Sequence, residues 1–294
     1  MKAILTIGMP VFNDILFIEQ SIQSILNQSF KDFIFILSDD GATDGSAEIC
    51  LEYAKQDSRI KYVKQKNNLG ISKNMEYLLE QCETEFFMWA GDDDLWSPNY
   101  CEIHIANLKS NSKAIVSFGS FQLIDEENQP LGAVLDIDYS NEIKLKRILY
   151  FIRNSNDAFG YGLFRTQLIN GVRFPVWKWP NKKSAYNNIY PSLCFYLLKG
   201  QYIHFNKEVL FFKREKTQKN TNHLIAGSGN GIKETIAYCL RRINLVIFTF
   251  AQAAKTNFLL TLIISPTLIW NWFFISMTSQ IKLVLRSFYR KNTL

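Results

Sequence analysis

Residues 3–9 form a short apolar run that stops at Pro10, the pattern of a buried strand. After Asn13-Asp14 the apolar residues Ile15, Ile18, Ile22, Ile25 and Leu26 recur every three or four positions, which predicts an amphipathic helix. The alternation then repeats, with strands predicted at 33–37, 60–63 and 85–90 and helices at 47–55 and 71–82. Strands that alternate with helices of about 10–15 residues build a parallel sheet covered on both faces. Such sheets bind ligands beyond the carboxyl ends of their strands. Three polar clusters sit there: Phe12-Asn13-Asp14, Asp39-Asp40-Gly41 and Gly91 to Asp94.

The rhythm changes near residue 113. Residues 114–124 and 131–137 read as strands flanking the polar turn Asp125-Glu126-Glu127-Asn128. Helical, aromatic-rich segments follow to about residue 200, then strands at 202–205 and 209–213. A Gly- and Asn-rich stretch, 216–231, reads as a linker. A helix carrying Arg241-Arg242 leads into residues 256–281, which hold no charged side chain.

Composition adds limits. At 294 residues the expectation is one large domain with an appendage, and 47% hydrophobic residues suffice for a sizeable core and exclude disorder. The net charge of +6 conceals an acidic front and a basic back: residues 200–294 carry 13 Lys/Arg against 3 Asp/Glu. The basic part suits phosphate or anionic lipid, whereas its scattered cations and the lack of a nucleic-acid motif argue against nucleic acid. Five cysteines without a Cys-x-x-Cys pair predict neither a disulfide framework nor a zinc site, and fit a reducing cytosol. No secretory leader is expected, because the amino terminus runs directly into a strand pattern.

The chemistry concentrates in Gly91-Asp92-Asp93-Asp94-Leu95-Trp96-Ser97-Pro98, after a strand and before a predicted helix. Three adjacent carboxylates are costly to gather unless a cation or solvent neutralises them, and Mg²⁺ or Mn²⁺ is commonly held by one or two carboxylates plus substrate phosphates. A solvated turn with Asp94 capping the next helix stands beside this reading. Asp39 and Asp44 have ready structural explanations, as a turn cap and a helix cap.

Five strings in order resemble family 2 glycosyltransferases, over roughly the first 110 residues. They are Pro10-Val11-Phe12-Asn13, the run Ser24 to Phe30, the run Ser38 to Ser46, the run Asn68 to Asn74, and the aspartate triplet with Pro98. The resemblance implies an α/β architecture with a single Rossmann-like mixed sheet of the A-type glycosyltransferase fold; the residues beyond it add the expectation of a C-terminal helical, membrane-associating tail. It also implies inverting transfer of a sugar from a nucleotide diphosphate donor. In its terms Val11, Phe12 and Asp14 line the nucleotide pocket, Asp40 accepts from the base and so favours UDP- or dTDP-sugars, and Asn68 and Gly70 contact the donor. Asp92 lies near the ribose and Asp93 binds Mg²⁺ or Mn²⁺. The family's Asp-x-Asp motif has Gly91 at its first position here.

An inverting transfer needs a general base. The family's acidic motif before a glycine resembling Gly200 reads Asn187-Asn188-Ile189-Tyr190-Pro191, and no Asp or Glu occurs from 158 to 207. Asp157 is the favoured base, with Glu208 as the alternative; His204 reads as packed, and His223 falls in the linker. The family's tail motif appears as Leu210-Phe211-Phe212-Lys213-Arg214, which implies Arg214 on the diphosphate.

Residues 256–277 approach the roughly 20 apolar residues of a spanning helix, yet Asn257, Pro266, Asn271, Trp270 and Trp272 fit a shallow segment better. Lys282, Arg286, Arg290 and Lys291 among apolar neighbours predict a basic amphipathic helix for anionic lipid. A soluble reading stays open: a helical hairpin packed on the catalytic half, or a homodimer contact. The expected organisation is a catalytic domain over 1–220, divided into a nucleotide-sugar half (1–112) and an acceptor half (113–220), and a tail over 221–294. The expected function is metal-dependent transfer to a glycan or lipid-linked acceptor in surface polysaccharide assembly, at the cytoplasmic face of the membrane. The alternative is a non-catalytic sugar-nucleotide-binding partner in a glycan assembly complex.

Overall fold

The structure is a computed structural model and describes residues 3–176, 189–205, 210–216, 232–275 and 278. The linker over 217–231 and the basic helix over 282–291 lie outside the described residues, as do Asn187-Asn188, Glu208 and His223.

The front half follows its hydrophobic rhythm: β1 (Leu5–Val11), α1 (Ile18–Leu26), β2 (Phe33–Asp39), α2 (Ser46–Gln56), β3 (Ile60–Lys64), α3 (Ile71–Glu80) and β4 (Phe86–Trp89). Helix α1 buries Ile18, Ile22 and Ile25 completely, the stripe that its spacing predicts. Then come β5 (Leu95–Trp96), α4 (Tyr100–Ser110), β6 (Ala114–Gly119), β7 (Phe121–Ile124), α5 (Lys144–Arg153), a 3₁₀ turn (Ala158–Tyr161), β8 (Leu163–Arg165) and α6 (Thr166–Ile169). Helix α7 (Tyr190–Lys199), β9 (Gln201–Phe205), β10 (Phe211–Arg214), α8 (Ile232–Thr256), α9 (Phe258–Ile269) and a π-helical turn (Trp270–Ile275) complete the described chain.

Seven strands form one mixed sheet in the order β3-β2-β1-β4-β8-β6-β9. Strands β3, β2, β1 and β4 are parallel, as their helical crossovers require, whereas β8 runs antiparallel to both β4 and β6. A second sheet, β5-β10-β7, pairs β10 antiparallel with β5 and parallel with β7.

Three expectations are corrected. Residues 114–124 are two strands in different sheets, separated at Ser120. Residues 131–137 make no strand; only isolated bridges join Leu135 to Phe121 and Pro130 to Ile124, because Pro130 lacks an amide hydrogen and Gly132 bends back at φ 80°. Between the aspartate triplet and α4 lies β5, so Asp94 does not cap a helix; its Oδ1 accepts from the Arg214 amide at 2.9 Å.

The described part of the tail, 232–275, shares the core of the sheet domain. Leu245, Ala253, Ile264, Leu268 and Trp272 are buried in the same apolar cluster as the strands. The Trp272 indole donates to Ile152 O at 3.1 Å and Ser155 Oγ at 2.7 Å, which docks the π turn on the end of α5. On α9 one face is buried, while Phe258, Leu259, Leu262 and Ile263, with Trp270 and Phe274 beyond, are exposed.

Candidate active site

Strand order runs outward from β1 to β3 on one side and resumes at β4 on the other, so the crevice between β1 and β4 is the switch point of the sheet. The loops after β1, β2 and β4 meet there. The Phe12 amide donates to Asp92 Oδ2 at 3.1 Å across the crevice, and the Asp40 amide to Val11 O at 2.9 Å. Asn13 holds a left-handed conformation (φ 54°), which asparagine tolerates better than most side chains, and its Oδ1 accepts from the Thr43 amide. That kink brings Asp14 inward. Its amide donates to Ser46 Oγ, its carbonyl accepts from Phe17 and Ile18 at the start of α1, and its side chain is buried.

Carboxylate oxygens of Asp14, Asp92 and Asp93 lie within 4.8 Å of one another. Burial, with the Asp93 charge beside it, pushes the Asp14 carboxyl up to about 6. Burial also holds the Asp92 and Asp94 carboxyls well above the usual range, reinforced at Asp92 by Asp14 and Asp93 and at Asp94 by Asp93. The Lys216 ammonium donates to Asp14 Oδ2 and lies 2.9 Å from Asp93 Oδ2. Burial lowers that ammonium's proton affinity, but Asp93, Asp92 and Asp14 outweigh it and raise the group above the ordinary lysine range. Hard oxygen donors within reach of one ion, with an ammonium already seated between two of them, fit a divalent cation of the Mg²⁺ or Mn²⁺ type.

The glycine in the first position of the acidic motif has a steric cause. A Cβ on Gly91 would stand 2.6 Å from Asp94 Oδ2 and 3.2 Å from Asp93 Oδ1. The third carboxylate of the cluster comes instead from Asp14, at the far side of the crevice.

Asp40 is buried, and its two oxygens accept from the Leu69 amide (2.5 Å) and the Gly70 amide (2.8 Å). The Asn68 side chain donates to Asp40 O at 2.7 Å, so Val11, Asp40, Asn68 and Gly70 form one connected floor. Val11 is fully buried, with its carbonyl taken by the Asp40 amide, whereas Phe12 is exposed. Asp39 Oδ1 accepts from the Gly41 and Ala42 amides, the turn cap expected of it. Asp44 accepts from the Ile15 and Ser46 amides, but the cap position of α2 belongs to Gly45 (φ 105°).

Strand β10 supplies the cations. Its antiparallel register on β5, Phe211 opposite Trp96 and Phe212 opposite Leu95, carries Lys213, Arg214 and Lys216 along the aspartate triplet. Arg214 is buried and spends its donors on Asp93 O (2.8 Å), Asp125 O (2.7 Å), Glu126 O, Asn128 Oδ1 (2.6 Å) and Gln20 Oε1. Its guanidinium also covers the Phe17 ring at 4.3 Å. This is the geometry of a clamp between three segments, and it corrects the picture of Arg214 as a cation free for a diphosphate. Lys213 pairs with Asp157 Oδ1 at 2.5 Å, so Asp157 is joined to the acidic loop through a lysine rather than set in it.

The sequence reading did not single out Lys213 or Lys216 as site residues, and it gave Asp14 to the nucleotide pocket, where the structure sets its carboxylate beside those of Asp92 and Asp93. A signal existed: Lys213-Arg214-Glu215-Lys216 follows an apolar strand pattern, and an acidic triplet needs cations from somewhere.

Comparisons with known proteins give the family and the fold. The model of the family described as "Glycosyl transferase family 2" matches residues 6–169. An uncharacterised glycosyltransferase of Rickettsia typhi is 30% identical over 222 residues, which cover 74% of this chain and 66% of that protein. The GalNAc(5)-diNAcBac-PP-undecaprenol beta-1,3-glucosyltransferase of Campylobacter jejuni is 30% identical over 200 residues, 67% of this chain and 62% of that one. The chain thus spans just under two thirds of the length of these relatives. Among solved structures, S. aureus TarS (residues 1–349) in complex with UDP-GlcNAc superimposes with a TM-score of 0.57 at 16% identity, covering 87% of this chain and 71% of that one, a likeness of fold.

Proposed function

This chain belongs to glycosyl transferase family 2, and we propose that it moves a sugar, with inversion, from a nucleotide diphosphate donor to a glycan or lipid-linked acceptor in surface polysaccharide assembly. The observation that carries this reading is the meeting of Asp14, Asp92 and Asp93 at the switch point of the sheet, next to the floor made by Asp40, Asn68 and Gly70. The floor receives the base, with Phe12 exposed along it and Asp40 favouring uracil or thymine donors. Asp92, tied to the Phe12 amide, stands by the ribose. Asp93 and Asp14 would hold Mg²⁺ or Mn²⁺, which would supply positive charge against that developing on the departing nucleotide diphosphate. Residues 1–220 form the catalytic unit, and 221–294 bring it to the cytoplasmic face of the membrane.

Asp157 is our assignment for the base, the last carboxylate before a stretch from 158 to 207 that has none. Its second oxygen takes the acceptor proton while Lys213 fixes the first. Asp157→Asn therefore lowers kcat by about 10²–10⁴-fold, the usual worth of a general base, with donor affinity kept. Unchanged turnover removes Asp157 from that role and leaves the transferase reading intact.

The test of the reading itself is donor turnover. The full chain, in detergent, is offered a panel of nucleotide sugars with and without Mn²⁺, and release of nucleotide diphosphate is scored. Metal-dependent release from one donor, abolished by Asp93→Ala, is the expected result. A donor that binds but is never cleaved, even with lipid-linked acceptors supplied, points to a sugar-nucleotide-binding partner instead.

A further inference from the structure

We propose that Lys216 is a donor-binding residue that also serves as the resident counter-ion of the acidic crevice. Its ammonium holds Asp14 and Asp93 together until a divalent cation and a nucleotide diphosphate enter, and it then moves onto the diphosphate. The proposal rests on reading the crevice as a cation-and-diphosphate site.

Position is the first argument. Lys216 Nζ engages one oxygen of Asp14 and one of Asp93, two of the three carboxylates that form the candidate cation cluster. A divalent ion ligated by those oxygens needs the space that the ammonium fills, and two cations at that separation repel. Lys216 must therefore leave its partners for the ion to be fully ligated.

The second argument is the contrast with Arg214, two positions earlier. Arg214 is anchored by three backbone carbonyls and two side chains, and displacing it would release the 125–128 turn and the acidic loop together. The recorded polar partners of Lys216 are carboxylates, with the Phe17 ring alongside at 5.6 Å. It lies beyond the last residue of β10 and carries its charge on a flexible four-carbon stem. Its head can swing without disturbing strand pairing. With Asp14, Asp92 and Asp93 taken up by the ion, a released ammonium is left to pair with the diphosphate that the donor would bring.

The consequence is reciprocal loading. The cation alone competes with Lys216 and binds weakly; a nucleotide diphosphate gives Lys216 a new partner, so cation and nucleotide strengthen each other.

The experiment measures Mn²⁺ binding by electron paramagnetic resonance of the free ion, on the full chain without any donor. Lys216→Met should bind Mn²⁺ about tenfold more tightly than the native protein, and Lys216→Arg should resemble the native protein, as expected for a coupling of ordinary size. Saturating UDP should tighten Mn²⁺ binding to the native protein by about tenfold or more, and to Lys216→Met by clearly less. Equal Mn²⁺ affinity in the native and Lys216→Met proteins overturns the role of Lys216 while the crevice reading stands, provided Asp93→Asn weakens the ion. Mn²⁺ binding that is absent in the native protein, with or without UDP, overturns the crevice reading and the proposal with it. If Lys216→Met fails to fold, the native protein alone decides: Mn²⁺ and UDP that bind independently of each other sink the proposal.

Discussion

At the scale of single residues, the site is a problem of crowded charge, and Gly91 and Asp14 show how it is solved. A side chain at 91 meets the Asp94 carboxylate at 2.6 Å, so Gly91→Ala should cost about 1–3 kcal/mol in urea denaturation through overpacking alone. An alanine variant as stable as the native protein refutes that account. Asp14, with its carboxyl raised to about 6, couples the site to pH. Its folded value lies above the unfolded value of 3.8, so its protonation stabilises the metal-free protein below pH 4, and that contribution is lost as pH rises through about 6. Ligation needs the deprotonated form, so Mn²⁺ affinity should climb as pH rises through about 6, measurable by calorimetry across pH 5–8. An affinity that stays flat across that range removes Asp14 from the donor set. Asp40, Asp92 and Asp93 could be picked out as candidates in the sequence because each lies within four residues of the carboxyl end of a strand. The partnership of Asp14 with Asp93 could not, because a left-handed Asn13 and a contact between positions far apart in sequence create it.

At the scale of elements, β10 is the piece that turns an acidic loop into a site. It pairs on one side with β5, which issues from the aspartate triplet, and on the other with β7. Arg214 pins that arrangement through planar, divided hydrogen bonding that lysine cannot reproduce. Arg214→Lys should therefore lose about 3–5 kcal/mol, near the cost of breaking a buried charged network, and Arg214→Ala no less. Chemical denaturation of the two variants checks this, and a lysine variant of native stability refutes the clamp. The parallel front of the sheet could be read from the period of its hydrophobic residues. Strand β8 could not, since three residues give no period, and its antiparallel direction depends on where the chain returns. The strand expected over 131–137 failed for a local reason, a proline and a bent glycine that its apolar count did not register.

At the scale of the whole molecule, the described helices over 232–275 share the apolar core of the sheet domain. Thr261, Ile264, Leu268 and Trp272 face inward, and Leu259, Leu262, Ile263, Trp270 and Phe274 face outward, along a segment long and apolar enough to cross a membrane by composition. With one face already held by the domain, a helix lying in the plane of the bilayer suits it better than a span. Replacing Leu259, Ile263 and Trp270 together by serine should abolish sedimentation with anionic vesicles and leave the melting temperature almost unchanged; vesicle binding that persists assigns the contact to another surface. Trp272→Ala should instead lower stability by about 3–5 kcal/mol, because that ring is buried and its indole is bonded. The placement of β10 also has a consequence for the order of assembly. Arg214 and its partner Asp94 stand 120 positions apart, so on a growing chain the aspartates emerge long before their cations. The crevice thus matures after the parallel sheet: a nascent chain carries that sheet with an acidic mouth still lacking its cations, and its ion pairs close only when residues 211–216 pair between β5 and β7.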